Sequence, residues 1–161
     1  PVLGICRGMQ MLAIATGYCL IEDIPSYYTA NGVSDAAMHR AEDGGYSFHD
    51  VFVESSDSHG LFEAGEVFTV ASSHHQAADM INTYSGSSVF HRPSDCLDDC
   101  LGGLGCPEGV CIVEVMERTD KLFAVGIQFH PEYFVDHPDG PGHEASVRFL
   151  ERLKSSLMCD F

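Results

Sequence analysis

The sequence predicts an α/β fold, and two stretches near its ends carry that prediction. Residues 1–17 predict a short apolar strand, a sharp turn at Cys6 and a Met/Leu/Ala-rich helix that closes at Gly17. Leu122–Phe129 is a nearly continuous apolar run, as expected of a strand buried in the middle of a sheet. A second helix is predicted over Glu144–Leu157, where apolar residues recur at helical spacing.

The chain between these stretches alternates short apolar runs with polar, glycine-containing segments. We predict strands at His49–Glu54, Val67–Ala71, Val89–His91 and Val110–Met116 and an extended piece at Tyr18–Pro25. Loops are predicted at Ser26–Gly45 and Asp136–Gly142. No internal repeat or linker divides the chain, so we expect residues 1–161 to belong to one domain.

Composition excludes some classes of partner. The formal net charge of −16 over 161 residues argues against binding to nucleic acid or to an anionic membrane surface. No apolar run approaches the length of a membrane span. Seven cysteines is an odd number, so a complete disulfide framework is not assumed, and a reducing, cytoplasmic location is favoured.

Cys6 is the first candidate for chemistry, because it stands at the turn between the first strand and the first helix. Gly4-Ile-Cys6-Arg-Gly8 is the thiol version of the Gly-x-Ser-x-Gly elbow, in which a strained turn exposes the nucleophile. Small residues are expected on both sides of the cysteine, where backbones come close. The alternative is a buried, inert cysteine at a strand end.

His130 is the candidate base for this nucleophile. It follows the apolar run 122–129, and an α/β sheet presents its reactive groups at such strand ends. Glu132 is close enough in sequence to orient the imidazole, with Pro131 stiffening the turn between them. Cys6, His130 and Glu132 therefore form a triad hypothesis, although an isolated His-Pro-Glu is more often a surface turn.

Five separated stretches carry a family resemblance. Gly4–Gln10 and Val125–Glu132 resemble the class I glutamine amidotransferase superfamily. Asp23-Ile-Pro25, Met38-His39-Arg40 and Val70–Gln76 are similar to the γ-glutamyl hydrolase-like branch, peptidase family C26, which includes γ-glutamyl-γ-aminobutyrate hydrolases. The resemblance implies a three-layer, flavodoxin-like class I glutamine amidotransferase fold.

The resemblance also implies roles for individual residues. Cys6 would be the nucleophile, His130 the base and Glu132 its orienting group. The backbone N–H of Arg7 would be one oxyanion donor. The glutamyl-binding side would be lined by Gln10, Ser72 and His74, with His75 and Gln76 able to share that work.

The implied reaction is hydrolysis of a γ-glutamyl C–N bond through a γ-glutamyl thioester on Cys6. The substrate would be a small γ-glutamyl molecule; no cofactor and no metal site is expected, and a homodimer is compatible with the sequence. One alternative is a glutaminase domain that supplies ammonia to a synthetase partner. Another is a truncated, non-catalytic homologue kept as a binding module.

The chain departs from the family pattern in two places. Ala71 stands where the branch usually has Asn, so one polar contact is expected to be absent. The family domain begins well before the elbow, with strand–helix units and a Gly-rich loop that supplies the second oxyanion donor. We therefore expect residues 1–161 to be the C-terminal part of a larger domain, inactive or unstable alone.

Two further groups of residues invite a metal hypothesis. Cys96, Cys100, Cys106 and Cys111 lie in an insertion whose spacings match no familiar zinc motif, and we favour free thiols there. Six scattered histidines are expected to be mostly solvated side chains: His39, His49, His59, His91, His137 and His143.

Overall fold

The computed structural model describes residues 1–33, 38–53, 56–79, 93–94, 112–118 and 123–159, and it confirms the α/β prediction. The elements are, in order, β1 (Val2–Ile5), α1 (Arg7–Ala15), β2 (Cys19–Ile21), α2 (Ile24–Ala30), β3 (Ser47–Val53), β4 (Val67–Ser72), β5 (Ala77–Asp79), β6 (Pro93–Ser94), β7 (Val115–Glu117), β8 (Ala124–Ile127), α3 (Pro131–Val135) and α4 (His143–Cys159). The predicted strand 89–91 and the four-cysteine insertion lie outside the described residues.

The sheet that matters for the site contains the first and last described strands. β1 pairs in parallel with β8, in a register that runs from Val2 opposite Ala124 to Ile5 opposite Ile127. β7 pairs with the other edge of β8 in the antiparallel direction. Because β1 and β8 are parallel and in register, the residues that follow their carboxyl ends meet at one edge of the sheet.

Both faces of this sheet are covered. Met9 and Ala13 of α1 pack with Met116 of β7 on one face. Gly126 lies beneath them; a Cβ there would come within 2.8 Å of Met9 Cγ, so only glycine allows this close approach. The opposite face holds the larger core cluster, in which Val125 and Ile127 contact residues of β3, β4 and α4.

Two smaller antiparallel sheets complete the described part. β3 lies between β4 and β6, and β2 pairs with β5. The β3–β4 register brings Ser47 opposite Ser72, at the end of β4 from which the middle motif continues. No helix in the described ranges is long and apolar enough to cross a membrane.

The predicted loop after Pro25 was wrong at its start, where the chain forms α2. Asp23 caps this helix: its carboxylate accepts a hydrogen bond of 2.9 Å from the Ser26 amide, and Pro25 lies in the first turn. Asp followed by proline is a helix-start signal, since proline's missing N–H falls where no intrahelical partner exists. The turn stiffened by Pro131 is likewise the start of a short helix, α3.

Candidate active site

Cys6 lies at a strained elbow between β1 and α1. Its backbone adopts φ 50° and ψ −107°, and among the described residues it alone has a positive φ without being glycine. Its N–H donates a 2.7 Å hydrogen bond to the carbonyl of Ile127 at the end of β8. A non-glycine residue persists in such a conformation only where its surroundings enforce it, as they do at functional sites.

The two glycines that flank Cys6 differ in how much space surrounds them. A Cβ on Gly4 would stand 2.6 Å from the carbonyl carbon and oxygen of Gly8, so the strand and helix meet too closely for any side chain at Gly4. A Cβ on Gly8 would meet nothing within 4 Å in the described structure. The expectation that both positions need glycine for close packing was therefore right for Gly4 and wrong for Gly8.

His130 lies just beyond β8, at the N-terminus of α3, and faces the elbow. Its Nδ1 is 2.7 Å from Glu132 Oε1, so the carboxylate accepts the Nδ1 proton and directs Nε2 elsewhere. The hydrogen bond to the Cys6 side chain is the largest cause that raises the pKa of His130 to about 9; burial opposes the shift, and Glu132 adds to it. His130 therefore carries its proton at neutral pH.

The three predicted triad residues are thus brought together by the fold. Cys6 and Glu132 both contact the imidazole of His130, although Cys6 comes from a distant part of the chain. The Arg7 amide is the first of α1, a position without an intrahelical acceptor, next to the Cys6 side chain. A thiol, an imidazolium and a free backbone N–H in this order suit nucleophilic acyl transfer.

Gln10, predicted to line the glutamyl side, is 5% exposed and lies inside the protein. Its amide nitrogen donates to the carbonyl of Gln76 at 2.8 Å and to Gln128 Oε1 at 3.2 Å. Ser72 and His74 are also buried, and His74 Nδ1 lies 2.9 Å from the Gln76 carbonyl. Substrate contacts of these three side chains stay predictions; what the structure describes is their packing behind the site.

Tyr46 is a neighbour of the site that the sequence analysis missed. Its ring meets that of His130 edge-on, with centroids 5.4 Å apart, and lies 4.4 Å from that of Tyr133. Burial chiefly raises the pKa of the Tyr46 phenol, and Glu132 and Cys6 add to the effect. No motif signals Tyr46, because it lies between the predicted loop 26–45 and the predicted strand 49–54.

His39 and His49 are exceptions to the expectation that most of the scattered histidines are solvated. Both are buried, at 3% and 4% exposure, beside the fully buried carboxylate of Glu114. Ligand atoms of these three residues all lie within 4.8 Å of one another. Sequence reasoning missed this cluster because its members come from segments far apart along the chain.

Comparison with known proteins agrees with this architecture. The glutaminase domain of Trypanosoma brucei CTPS, solved with bound acivicin, superposes with a TM-score of 0.50 at 17% identity, over 98% of this chain and 60% of that domain. This likeness defines the fold as that of the class I glutamine amidotransferases.

The family follows from sequence. The peptidase C26 family model matches residues 1–132, and the chain belongs to that family. A putative glutamine amidotransferase of Mycobacterium tuberculosis is 31% identical over 137 residues, which are 84% of this chain and 36% of that protein. A putative glutamine amidotransferase-like protein of Rickettsia prowazekii is 25% identical over 156 residues, 85% of this chain and 55% of its own length. The chain thus spans about half or less of these curated relatives.

Proposed function

We propose that this protein is a cysteine-dependent hydrolase of γ-glutamyl C–N bonds. The observation that carries the proposal is the contact of one imidazole, that of His130, with both the elbow cysteine and a carboxylate. Membership of the peptidase C26 family supports a hydrolytic rather than a purely binding role.

The chemistry has two steps. The Cys6 thiolate attacks the γ-carbonyl carbon, and the oxyanion that forms is met by the Arg7 amide. His130 gives its proton to the departing amine as the C–N bond breaks, which leaves a γ-glutamyl thioester. His130, now neutral, then takes a proton from water; the hydroxyl adds to the thioester, and glutamate and the thiol are released.

Glu132 contributes through His130. Its carboxylate holds the Nδ1 proton, which keeps Nε2 directed to the cysteine, and its negative charge stabilises the imidazolium. Glu132 is 57% exposed, so solvent screens part of that effect. The proposal therefore assigns Glu132 mainly an orienting role.

The second candidate is a glutaminase domain that passes ammonia to a synthetase partner. It is favoured by the description of one curated relative as a putative glutamine amidotransferase and of the other as a putative glutamine amidotransferase-like protein. The two candidates share the thioester chemistry and differ in what triggers it. A hydrolase acts on γ-glutamyl amides alone, whereas a coupled glutaminase turns over glutamine only with its partner present.

The test is to incubate the purified protein with glutamine and, separately, with γ-glutamyl amides of larger amines, and to measure released glutamate. We expect turnover of the amides without any partner, and a covalent γ-glutamyl adduct on Cys6 when the reaction is quenched with acid. Cys6→Ala should lose both signals. Cys19→Ala is the matched control, since Cys19 is an exposed free thiol on β2, and it should keep both.

The outcomes separate the candidates. Glutamine turnover that requires an added synthetase would support the coupled glutaminase instead. If a folded protein forms no adduct with any γ-glutamyl compound and Cys6 reacts with a diazo-ketone glutamine analogue no faster than Cys19, the site is non-catalytic.

A further inference from the structure

Three histidines surround one carboxylate inside the protein, and none of these four residues belongs to the triad. Glu114 Oε1 lies 3.3 Å from His39 Nδ1, 3.6 Å from His49 Nε2 and 3.7 Å from His74 Nε2. Glu114 is fully buried, and none of the three histidines is more than 5% exposed. A group of this kind is costly to bury unless its charges and lone pairs are compensated.

The contact of His74 with the Gln76 carbonyl indicates which of its ring nitrogens carries the proton. A carbonyl oxygen only accepts, so the 2.9 Å contact with the Gln76 carbonyl assigns the proton of His74 to Nδ1. Its Nε2 lone pair therefore faces a carboxylate oxygen, an arrangement that is repulsive unless a cation lies between them.

Glu114 itself needs that cation. In the described part of the chain neither carboxylate oxygen has a donor with hydrogen-bond geometry, and the same is true of both ring nitrogens of His49. A buried anion in this state calls for a positive charge at its centre.

We propose that His39, His49 and Glu114 bind one divalent transition-metal ion of the zinc class, with His74 next to the site. Imidazole nitrogen and carboxylate oxygen are the ligands that zinc takes in proteins. Two ligands on a tetrahedral zinc, each about 2.0–2.1 Å from the metal, lie roughly 3.3 Å apart. The contacts from Glu114 to His39 and His49, 3.3 and 3.6 Å, are close to that separation.

The surroundings fit a metal site in two further respects. Tyr28 places its hydroxyl 3.5 Å from His39 Nε2, so the outer nitrogen of that ring has a partner while Nδ1 faces Glu114. A cavity of about 420 Å³ is lined by His39 and His74 and gives an ion a way to the cluster. Neither feature involves Cys6 or His130.

The ion would act as a cross-link. His39 precedes β3, His49 lies on it and Glu114 precedes β7, so one metal would join segments of different sheets. The metal is therefore structural in this proposal, and it is independent of the γ-glutamyl chemistry proposed above.

The experiment is a zinc titration of the purified protein after chelator treatment and dialysis, followed by metal analysis. We expect one zinc to remain bound per chain and to raise the unfolding temperature. X-ray absorption of the zinc-loaded wild type should give nitrogen and oxygen neighbours, including imidazole, and no sulfur. Sulfur among the neighbours of the zinc would show that the metal binds to cysteines. Failure to retain zinc would show that the protein has no such site. Either result overturns the proposal.

The zinc affinity of variants at the proposed ligands tests where the ion binds. Glu114→Gln and His49→Gln should each weaken zinc binding at least about 100-fold, since loss of an outer-shell partner already costs 10–100-fold. Glu117→Gln is the matched control: Glu117 is also fully buried beside a histidine, His59 at 3.5 Å, but outside the cluster. It should bind zinc as the wild type does. Equal affinity in all three variants overturns the assignment, and the wild-type absorption spectrum tests it even if a variant fails to fold.

Discussion

The amide of His130 donates a 2.8 Å hydrogen bond to the carbonyl of Ala71, and this bond joins the middle motif to the triad. Ala71 is the position at which the chain departs from its family pattern. The contact uses the backbone, which any residue supplies, so the departure leaves the connection between β4 and His130 in place. Whether a polar substrate contact is lost there stays a prediction.

The strain at Cys6 predicts a difference between two inactive variants. Cys6→Gly and Cys6→Ala both remove the thiol, but only glycine relieves the positive φ. Such strain costs about 1–3 kcal/mol, which glycine avoids. Glycine also loses more conformational entropy on folding than alanine does, and this loss offsets about 0.5–1 kcal/mol of the gain in stability. We expect Cys6→Gly to be more stable than Cys6→Ala by about 1 kcal/mol in urea unfolding. A less stable glycine variant would mean that the elbow is unstrained.

The raised pKa of His130 predicts how stability depends on pH. The folded value, about 9, exceeds the ordinary 6.5, so the native state holds this proton more tightly than the unfolded chain does. The stabilisation is complete below pH 6.5 and is lost as the pH rises through 9. Unfolding midpoints of wild type and His130→Gln should therefore converge between pH 6.5 and 9; parallel curves would contradict the shift.

The pKa of His130 also predicts the pH above which the proposed activity falls. The leaving amine needs the proton of His130, so kcat/KM for a γ-glutamyl amide should fall as pH rises above about 9. Initial rates at low substrate concentration measure this directly. A rate that keeps rising well past that pH would assign the proton donor to another group.

Glu132→Gln should separate orientation from charge. The amide can no longer stabilise the imidazolium, so we expect the pKa of His130 to fall and kcat to drop by about 10²-fold, less than for a buried orienting carboxylate because Glu132 is 57% exposed. An NMR titration of the His130 ring and steady-state kinetics check the two effects. Glu144→Gln, at an exposed glutamate in the first turn of α4, is the control and should change neither.

The elbow glycines predict opposite effects of the same substitution. Gly4→Ala would place a methyl group 2.6 Å from the backbone of Gly8, so we expect a loss of about 3 kcal/mol or more, or failure to fold. Gly8→Ala meets open space inside a helix, where alanine is favoured by about 0.5–1 kcal/mol. Urea unfolding of both variants measures the difference, and equal stabilities would contradict the close approach.

Residues close to strand ends were the ones that the sequence could predict. Cys6 and His130 follow apolar runs, and the parallel pairing of β1 and β8 then brings the two together. The start of α2 was readable from Asp23 and Pro25 and was missed because the polar segment after them suggested a loop.

The histidine cluster was not predictable in this way. No local pattern connects His39, His49 and Glu114, since their meeting depends on how β3 and the segment before β7 pack. Tyr46 reaches His130 for the same kind of reason. That residues 1–161 form part of a larger domain stays a prediction.

The edge-on packing of Tyr46 against His130 also makes the site optically observable. The chain has no tryptophan and six tyrosines, so its ultraviolet emission comes from phenol rings alone. An imidazolium in contact with a phenol quenches that emission, and a neutral imidazole does so less. The fluorescence that Tyr46→Phe removes would therefore brighten as His130 loses its proton, which lets the charge of His130 be followed without label or substrate.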